Sequence, residues 1–231
     1  MIHVPINAIT WSLGAAALYT FAWKSWRSYR WTKNPLARMY LVLGLTFGTG
    51  LFFFGVPGLF TQNLHILRYT YFLADLFVQI SLQAALWLLW FLGLRNQVRL
   101  YYIYLVSIPF SAVLMTLQAL TSQVGLSQSP YLIVYTDKPA VLILKSIIYL
   151  AVAMPIGYFL IHQVPSQVSL RAKLKSLMAG MTFILVGLAA TINNIFDKGS
   201  DTADSAIIVA GFFIIFLIVQ LMRSPASSPR A

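Results

Sequence analysis

The chain has 231 residues, of which 59% are hydrophobic and only 9% are charged. Because soluble domains of this size carry about 25% charged residues, the composition excludes an ordinary soluble globular protein. The absence of cysteine excludes disulfides, zinc fingers and thiol catalysis. The formal net charge of +11 is not accompanied by a nucleic-acid-binding motif, so no nucleic-acid partner is expected.

Apolar blocks of about 20 residues follow one another along the chain, and an α-helix needs this length to cross a hydrocarbon core of about 30 Å. They predict an all-α fold, a polytopic bundle of seven transmembrane helices. The membrane domain covers 1–222, and a short cytoplasmic tail covers 223–231. The predicted spans are about 6–23, 37–57, 69–93, 100–121, 140–162, 174–196 and 205–222.

Basic residues are distributed unevenly between alternate connections. Twelve of the sixteen Lys and Arg residues fall after helices 1, 3, 5 and 7, whereas the other four fall on the opposite side with all five Asp residues. The two sides therefore carry net charges of +12 and 4 − 5 = −1. Since basic loops stay in the cytoplasm during insertion, the N-terminus is predicted outside and the C-terminus inside. We expect a multi-pass protein of a prokaryotic plasma (inner) membrane, with its basic loops against anionic membrane lipids.

The longest loop on the predicted outer side covers about 122–139 and contains a short β-prone run, YLIVY at 131–135. This run predicts either a lid over the bundle or a segment on the membrane surface. An ordered connector is the alternative interpretation.

Two ionisable residues fall inside predicted spans, where a charge costs about 2.5–3.5 kcal/mol and marks a functional candidate. Asp75 in helix 3 and Lys145 in helix 5 each lie six residues after the outer start of a descending helix. At a rise of 1.5 Å per residue, both are expected about 9 Å below the outer boundary. Equal depth allows an ion pair if the two helices face each other.

Amide side chains extend this polar face. Asp75, Gln79 and Gln83 are spaced at i, i+4 and i+8 and are expected on one side of helix 3. Amides of helices 4 and 6 are expected at a similar level: Gln118, Asn193 and Asn194. Together they predict a polar pocket in the outer half of the bundle. The alternatives are a structural network of interhelical hydrogen bonds, each contributing about 0.6–2 kcal/mol, and a Lys145 that extends to the interface.

Catalytic and cofactor signatures are missing from the sequence. There is no glutamate, which excludes Glu-based intramembrane proteolysis and zincin chemistry, and there is no Gly-x-Ser-x-Gly nucleophile motif. Helix 7 contains no lysine for a retinal Schiff base, and the three histidines do not pair at matched depth. We therefore expect no enzymatic activity, no cofactor and no metal site.

Helices 1–4 carry a series of features in a characteristic order. A Trp- and Arg-rich loop (WKSWRSYR) precedes helix 2, and a link with Leu67, Arg68 and Tyr69 leads into helix 3, which ends in WLLW at 87–90. LRNQ and a helix with Pro109 follow. In this order the chain resembles the seven-helix sensor region found N-terminal to some bacterial histidine kinases and cyclases. The resemblance covers about half of the chain. It implies a receptor-like protein whose signal passes to a separate membrane or cytoplasmic partner, because the effector domain is absent.

Two functions are consistent with these features. The first is a sensor-like or accessory subunit that binds a small ligand, a lipid or a membrane partner. The second is a small transporter or channel with Asp75 as a cation or proton site and Lys145 as its counter-charge. Helix 3 becomes apolar and Trp-rich below Gln83, so the polar path is expected to close in the inner half. This favours the first function.

Overall fold

A computed structural model describes residues 5–128, 131–167 and 169–195. Within these ranges the chain forms six long α-helices and one two-stranded sheet, and α3 continues into a π-helical turn at Trp90–Leu94. The elements are α1 (Ile6–Thr32), α2 (Pro35–Phe60), α3 (Leu64–Leu89), α4 (Leu100–Thr121), β1 (Gln123–Gln128), β2 (Tyr131–Thr136), α5 (Pro139–His162) and α6 (Leu170–Ile195).

The helices agree with the predicted spans wherever the structure describes the chain. Each of the six spans predicted between 6 and 196 overlaps one of these helices, so their helical character is confirmed. The predicted seventh span, 205–222, and the tail at 223–231 lie outside the described residues. Among the residues that the structure describes, four helices are long and apolar enough to cross a membrane, namely α2, α3 with its π turn, α4 and α5. The fold is compatible with a multi-pass integral membrane protein, and the count of seven spans stays a prediction.

Short connections reverse the chain between neighbouring helices. Lys33 ends α1 in the left-handed region at φ 52°, and the side chain of Asn34 then accepts a hydrogen bond from the N–H of Leu36 to cap α2. Asn63 caps α3 in the same way through the N–H of His65. These caps satisfy backbone donors that a helix start leaves free, so each turn needs only a few residues. Because the turns are short, helices that are neighbours in the sequence run antiparallel.

Alternating directions give the bundle two different ends. The end that carries the β1–β2 hairpin is called the hairpin end, and the end with the α1–α2, α3–α4 and α5–α6 connections is called the basic end. Burial lowers the pKa of Lys24, and the positive charge of Lys175 lowers it further, so these two residues of α1 and α6 lie near each other. The described basic loops therefore share one end of the bundle.

The third helix is the centre of the packing. It contacts α2, α4 and α5, while α1 packs on α2 and α6 packs on α5. Glycines allow the outer pairs to approach closely. A Cβ at Gly55 of α2 would lie 2.6 Å from the backbone nitrogen of Ser12 in α1, and a Cβ at Gly157 of α5 would lie 2.8 Å from the carbonyl of Gly180 in α6. Towards the basic end, buried apolar side chains of α2, α3 and α5 pack together, including Met39, Leu88, Leu89 and Leu160.

Candidate ligand pocket at the hairpin end

A buried lysine lies between two aspartates near the hairpin end. Nζ of Lys145 lies 2.9 Å from Oδ2 of Asp75 and donates a hydrogen bond to Oδ2 of Asp137 at 2.7 Å. The side chains of Lys145 and Asp75 are each 5% exposed, and that of Asp137 is 1% exposed. The predicted ion pair between Asp75 and Lys145 is therefore present. These three residues are called the charge cluster below.

Asp137 is the member of the charge cluster that sequence reasoning missed. It lies in the link between β2 and α5, eight residues before Lys145, and was counted only among the acidic residues of the outer side. The extended backbone of Lys138 and the start of α5 at Pro139 turn the link back over the first two turns of the helix. The sequence did contain one signal for this residue, since Asp137 is the sole acid of the longest predicted outer loop.

Tyr71 completes the surroundings of the charge cluster. Its hydroxyl donates a hydrogen bond to Oδ2 of Asp137 at 2.9 Å, and its ring lies 5.8 Å from Nζ of Lys145. Tyr71 precedes Asp75 by one turn of α3, so the two side chains lie on one face of that helix. The helix thus provides a carboxylate and a hydroxyl to the same site.

The charge cluster lines a cavity of about 310 Å³. At the hairpin end the lining side chains are polar or aromatic and include Asn7, Trp11, Tyr135 and Tyr149 beside the cluster. Further towards the basic end the walls are apolar and include Leu43, Phe47, Leu82, Val152, Ile156 and Phe183. The cavity therefore has one polar end and one apolar end.

The β-hairpin packs onto the helices around this cavity. Strands β1 and β2 pair antiparallel, and Nδ2 of Asn7 donates to the carbonyl of Ile133 at 2.7 Å while the N–H of Ile133 donates to Oδ1 of Asn7 at 3.2 Å. Ile133 is 1% exposed and packs against Ala8 and Leu67. Residues of β2 line the cavity. The predicted outer loop therefore forms an ordered β-hairpin that is hydrogen-bonded to the first turn of α1.

Four aromatic rings join the hairpin to the cavity wall. The rings of Tyr71 and Tyr135 stack at 4.4 Å, and Trp11 and Phe54 pack against them with centroid distances of 5.3–5.7 Å. The hydroxyl of Tyr135 donates to the carbonyl of Phe54 at 3.4 Å, and burial raises the pKa of this phenol. We call these four residues the aromatic cluster. They form an aromatic wall next to the charge cluster.

The predicted amides occupy other positions. Gln83 bonds to α4, since its Oε1 accepts from Ser107 at 2.6 Å and its Nε2 donates to Ser111 at 3.0 Å. Gln79 and Gln118 are 3% and 0% exposed, and neither finds a hydrogen-bond partner within the described ranges. None of these three amides is among the residues that line the cavity.

Helix geometry explains why the amides diverge from Asp75. Each step of four residues turns a side chain by about 40° around an α-helix, because one turn contains 3.6 residues. Over the eight residues from Asp75 to Gln83 the face turns by about 80°, and Gln83 meets α4 and not the cavity. The positions of Asn193 and Asn194 fall in α6, but their side chains lie outside the described part of the structure.

The site offers limited possibilities for metal binding. Within the described ranges, no group of three or more His, Cys, Asp or Glu side chains comes together as a set of metal ligands. His65 is exposed at the hairpin end, and His162 lies at the opposite end of α5. The chemistry of the site therefore resides in the charge cluster and the aromatic cluster.

Comparisons with protein-family models and with curated proteins find no match for this chain.

Proposed function

We propose that this protein is a non-enzymatic membrane subunit, sensor-like or accessory, that binds a small ligand in the cavity at the hairpin end. The observation that carries the proposal is the cavity of about 310 Å³ that ends at the buried charge cluster. Binding pockets are typically concave and mostly apolar, with a few polar groups that converge on one region. This cavity has that composition.

A purely structural role for the charge cluster accounts less well for the space beside it. Buried ion pairs are normally closely packed, because protein interiors have the density of organic crystals. Beside this one, the described residues leave a partly open cavity of about 310 Å³. An ion pair that only joined α3 to α5 would need no such space. A ligand site needs both the charged groups and the space beside them.

The contacts of Lys145 support binding without turnover. Its ammonium group lies between the carboxylates of Asp75 and Asp137 and contacts both of them, so its position is fixed by two ion pairs. The lysine is therefore suited to a fixed electrostatic role.

The proposed signalling direction combines the site with the predicted topology. The positive-inside distribution of the sequence predicts the hairpin end outside the cytoplasm, so the ligand enters from the outer side of the plasma membrane. The hairpin contacts α1 and α3. A ligand that alters the hairpin therefore acts directly on helices that continue to the basic end. Output then passes to a separate membrane or cytoplasmic protein, as the resemblance to a sensor region implies.

Photolabelling with 1-azidoanthracene, a small apolar probe, tests the proposal. We expect labelled peptides from the cavity walls in the wild type in nanodiscs. Labelling should be lost in Ala85→Trp, because Ala85 lines the cavity and the indole would fill it. Ala119→Trp is the matched control, since Ala119 is exposed on α4. Cavity labelling that is absent in the wild type, or unchanged in Ala85→Trp, would refute the proposed ligand site.

A second candidate function is cation or proton transport through Asp75. It is favoured by the excess of carboxylates in the charge cluster. The apolar packing around Met39, Leu88 and Leu160 supports the ligand-binding function instead, because it fills the path to the basic end. We expect no cation or proton flux in proteoliposomes. Flux in the wild type that Asp75→Asn abolishes would replace the first proposal with this one.

A further inference from the structure

We infer that the ligand of this cavity is an amphiphilic cation, a protonated amine whose head binds at the charge cluster and whose apolar tail extends towards the basic end. This inference rests on the proposed ligand site and adds the chemical class of the ligand. It is carried by the charge balance of the cluster, its unused hydrogen-bond acceptors and the two-ended character of the cavity.

The charge balance of the site favours a cation. The carboxylates of Asp75 and Asp137 and the ammonium of Lys145 sum to a formal charge of −1 at side chains that are at most 5% exposed. Lys145 is the sole Lys or Arg among the described residues that line the cavity. An uncompensated buried charge is unfavourable in a medium of low dielectric constant. One positive charge from a ligand head would neutralise the site.

Two carboxylate oxygens of the cluster have no hydrogen-bond donor among the described residues. Oδ1 of Asp137 is buried and has no hydrogen-bond partner within the described ranges, although Oδ2 of the same carboxylate already accepts from Lys145 and Tyr71. Oδ2 of Asp75 lies at ion-pair distance from Lys145 but also lacks a well-aligned hydrogen bond within those ranges. Unsatisfied buried polar atoms are rare in native proteins. A primary ammonium head carries three N–H donors, whereas a carboxylate or phosphate head would add acceptors and negative charge.

The walls of the cavity fit an organic cation and not a bare metal ion. The aromatic cluster lies beside the charge cluster, and the face of an aromatic ring attracts a cation within about 6 Å. Lys145 already shows this geometry at 5.8 Å from the Tyr71 ring. Beyond the head region the lining is apolar, with Phe47, Leu82 and Ile156. A metal ion would leave this apolar volume unfilled, whereas an alkyl or aryl tail would fill it.

Protection against cavity photolabelling provides the test. Hexylamine, hexanol and hexanoate have the same chain and differ in the charge of the head. In phosphatidylcholine nanodiscs near neutral pH, we expect hexylamine to protect the wild type from 1-azidoanthracene at a concentration about tenfold or more below that of hexanoate, with hexanol between them. Equal protection by all three, or best protection by hexanoate, would overturn the inference and leave the ligand site intact. If the wild type shows no specific cavity labelling even without a competitor, the proposed ligand site itself is refuted.

A variant tests whether the head binds at the charge cluster. Asp137→Asn removes one negative charge and retains an oxygen acceptor, so we expect hexylamine to lose its advantage over hexanol. Lys138→Gln is the control, because Lys138 is the exposed next residue and changes the charge of the same link. An amine preference that persists in a folded Asp137→Asn protein would contradict this assignment. The comparison of ligands on the wild type keeps the test decisive if that variant does not fold.

The same assay separates two sources of the amine. If the ammonium group belongs to an aminophospholipid whose phosphate stays outside the charge cluster, phosphatidylethanolamine in the nanodiscs should compete with hexylamine and weaken its protection. If the natural ligand is a free amine, hexylamine should protect equally well in nanodiscs of phosphatidylcholine and in nanodiscs that contain phosphatidylethanolamine. Either result supports an ammonium head. Stronger competition by an anionic lipid than by phosphatidylethanolamine would contradict it.

Discussion

Lys145 in α5 and Asp137 in the link that precedes the helix are eight residues apart and joined by a hydrogen bond of 2.7 Å. The same lysine lies 2.9 Å from Asp75 of α3. One ammonium group therefore connects the hairpin link to two helices at the polar end of the cavity. This arrangement makes the charge cluster a structural joint, and in our proposal the cluster also determines which ligands are favoured.

The first prediction concerns the loss of the central cation. Lys145→Met leaves the carboxylates of Asp75 and Asp137 facing each other while buried, and breaking a buried ion pair typically costs about 3–5 kcal/mol. We expect a clear fall in the midpoint of unfolding in nanodiscs, followed by intrinsic fluorescence. The triple variant Asp75→Asn, Asp137→Asn, Lys145→Met removes all three charges and should recover part of the loss. A single variant as stable as the wild type would contradict the structural role of the cluster.

The second prediction concerns the attachment of the hairpin. Asn7→Ala removes both hydrogen bonds to the backbone of Ile133 and leaves a buried N–H and a buried carbonyl unsatisfied, at a cost of about 1–3 kcal/mol. We expect faster amide hydrogen exchange across β1 and β2. Thr10→Ala is the control, since the Thr10 hydroxyl bonds only within its own helix, to the carbonyl of Asn7 at 3.0 Å. Equal exchange rates in the two variants would show that Asn7 does not hold the hairpin.

The third prediction concerns the contact between α1 and α2. In Gly55→Ala the new methyl group would lie 2.6 Å from the Ser12 nitrogen and 2.8 Å from the Ala8 carbonyl, so the helices must separate. Overpacking of this kind typically costs about 1–3 kcal/mol. Gly125→Ala is the control, because no described atom beyond its own chain neighbours lies within 4 Å of its added Cβ. In thermal unfolding, Gly55→Ala should have a lower midpoint than Gly125→Ala. Equal midpoints would contradict the close approach of α1 and α2.

The fourth prediction concerns the orientation in the membrane. Because the chain contains no cysteine, single-cysteine variants can be labelled without background. Gln62→Cys, exposed in the α2–α3 connection at the hairpin end, should react with a membrane-impermeant maleimide on intact cells. Lys33→Cys, exposed in the α1–α2 connection at the basic end, should react only after permeabilisation. The reverse pattern would place the cavity on the cytoplasmic side and require a new account of its ligand.

The sequence alone was sufficient for the helices, and it allowed the ion pair between Asp75 and Lys145. Runs of apolar residues predicted all six described helices, and the ion pair is present at 2.9 Å. The helix starts were predicted less well, because α3 begins at Leu64 and not near Tyr69, so Asp75 lies eleven residues after its helix start and Lys145 six. The apolar length of a helix is a local property of the chain, so it can be read without knowledge of the partners of the helix.

Only the tertiary structure decided which side chains meet. It turned Gln83 towards Ser107 and Ser111 of α4, folded the outer loop into a hairpin attached to Asn7, and brought Asp137 from that loop to Lys145. These outcomes depend on the rotation of each helix about its axis and on the path of a loop. Both are set by close packing between elements distant in sequence, so no local pattern of residues contains them.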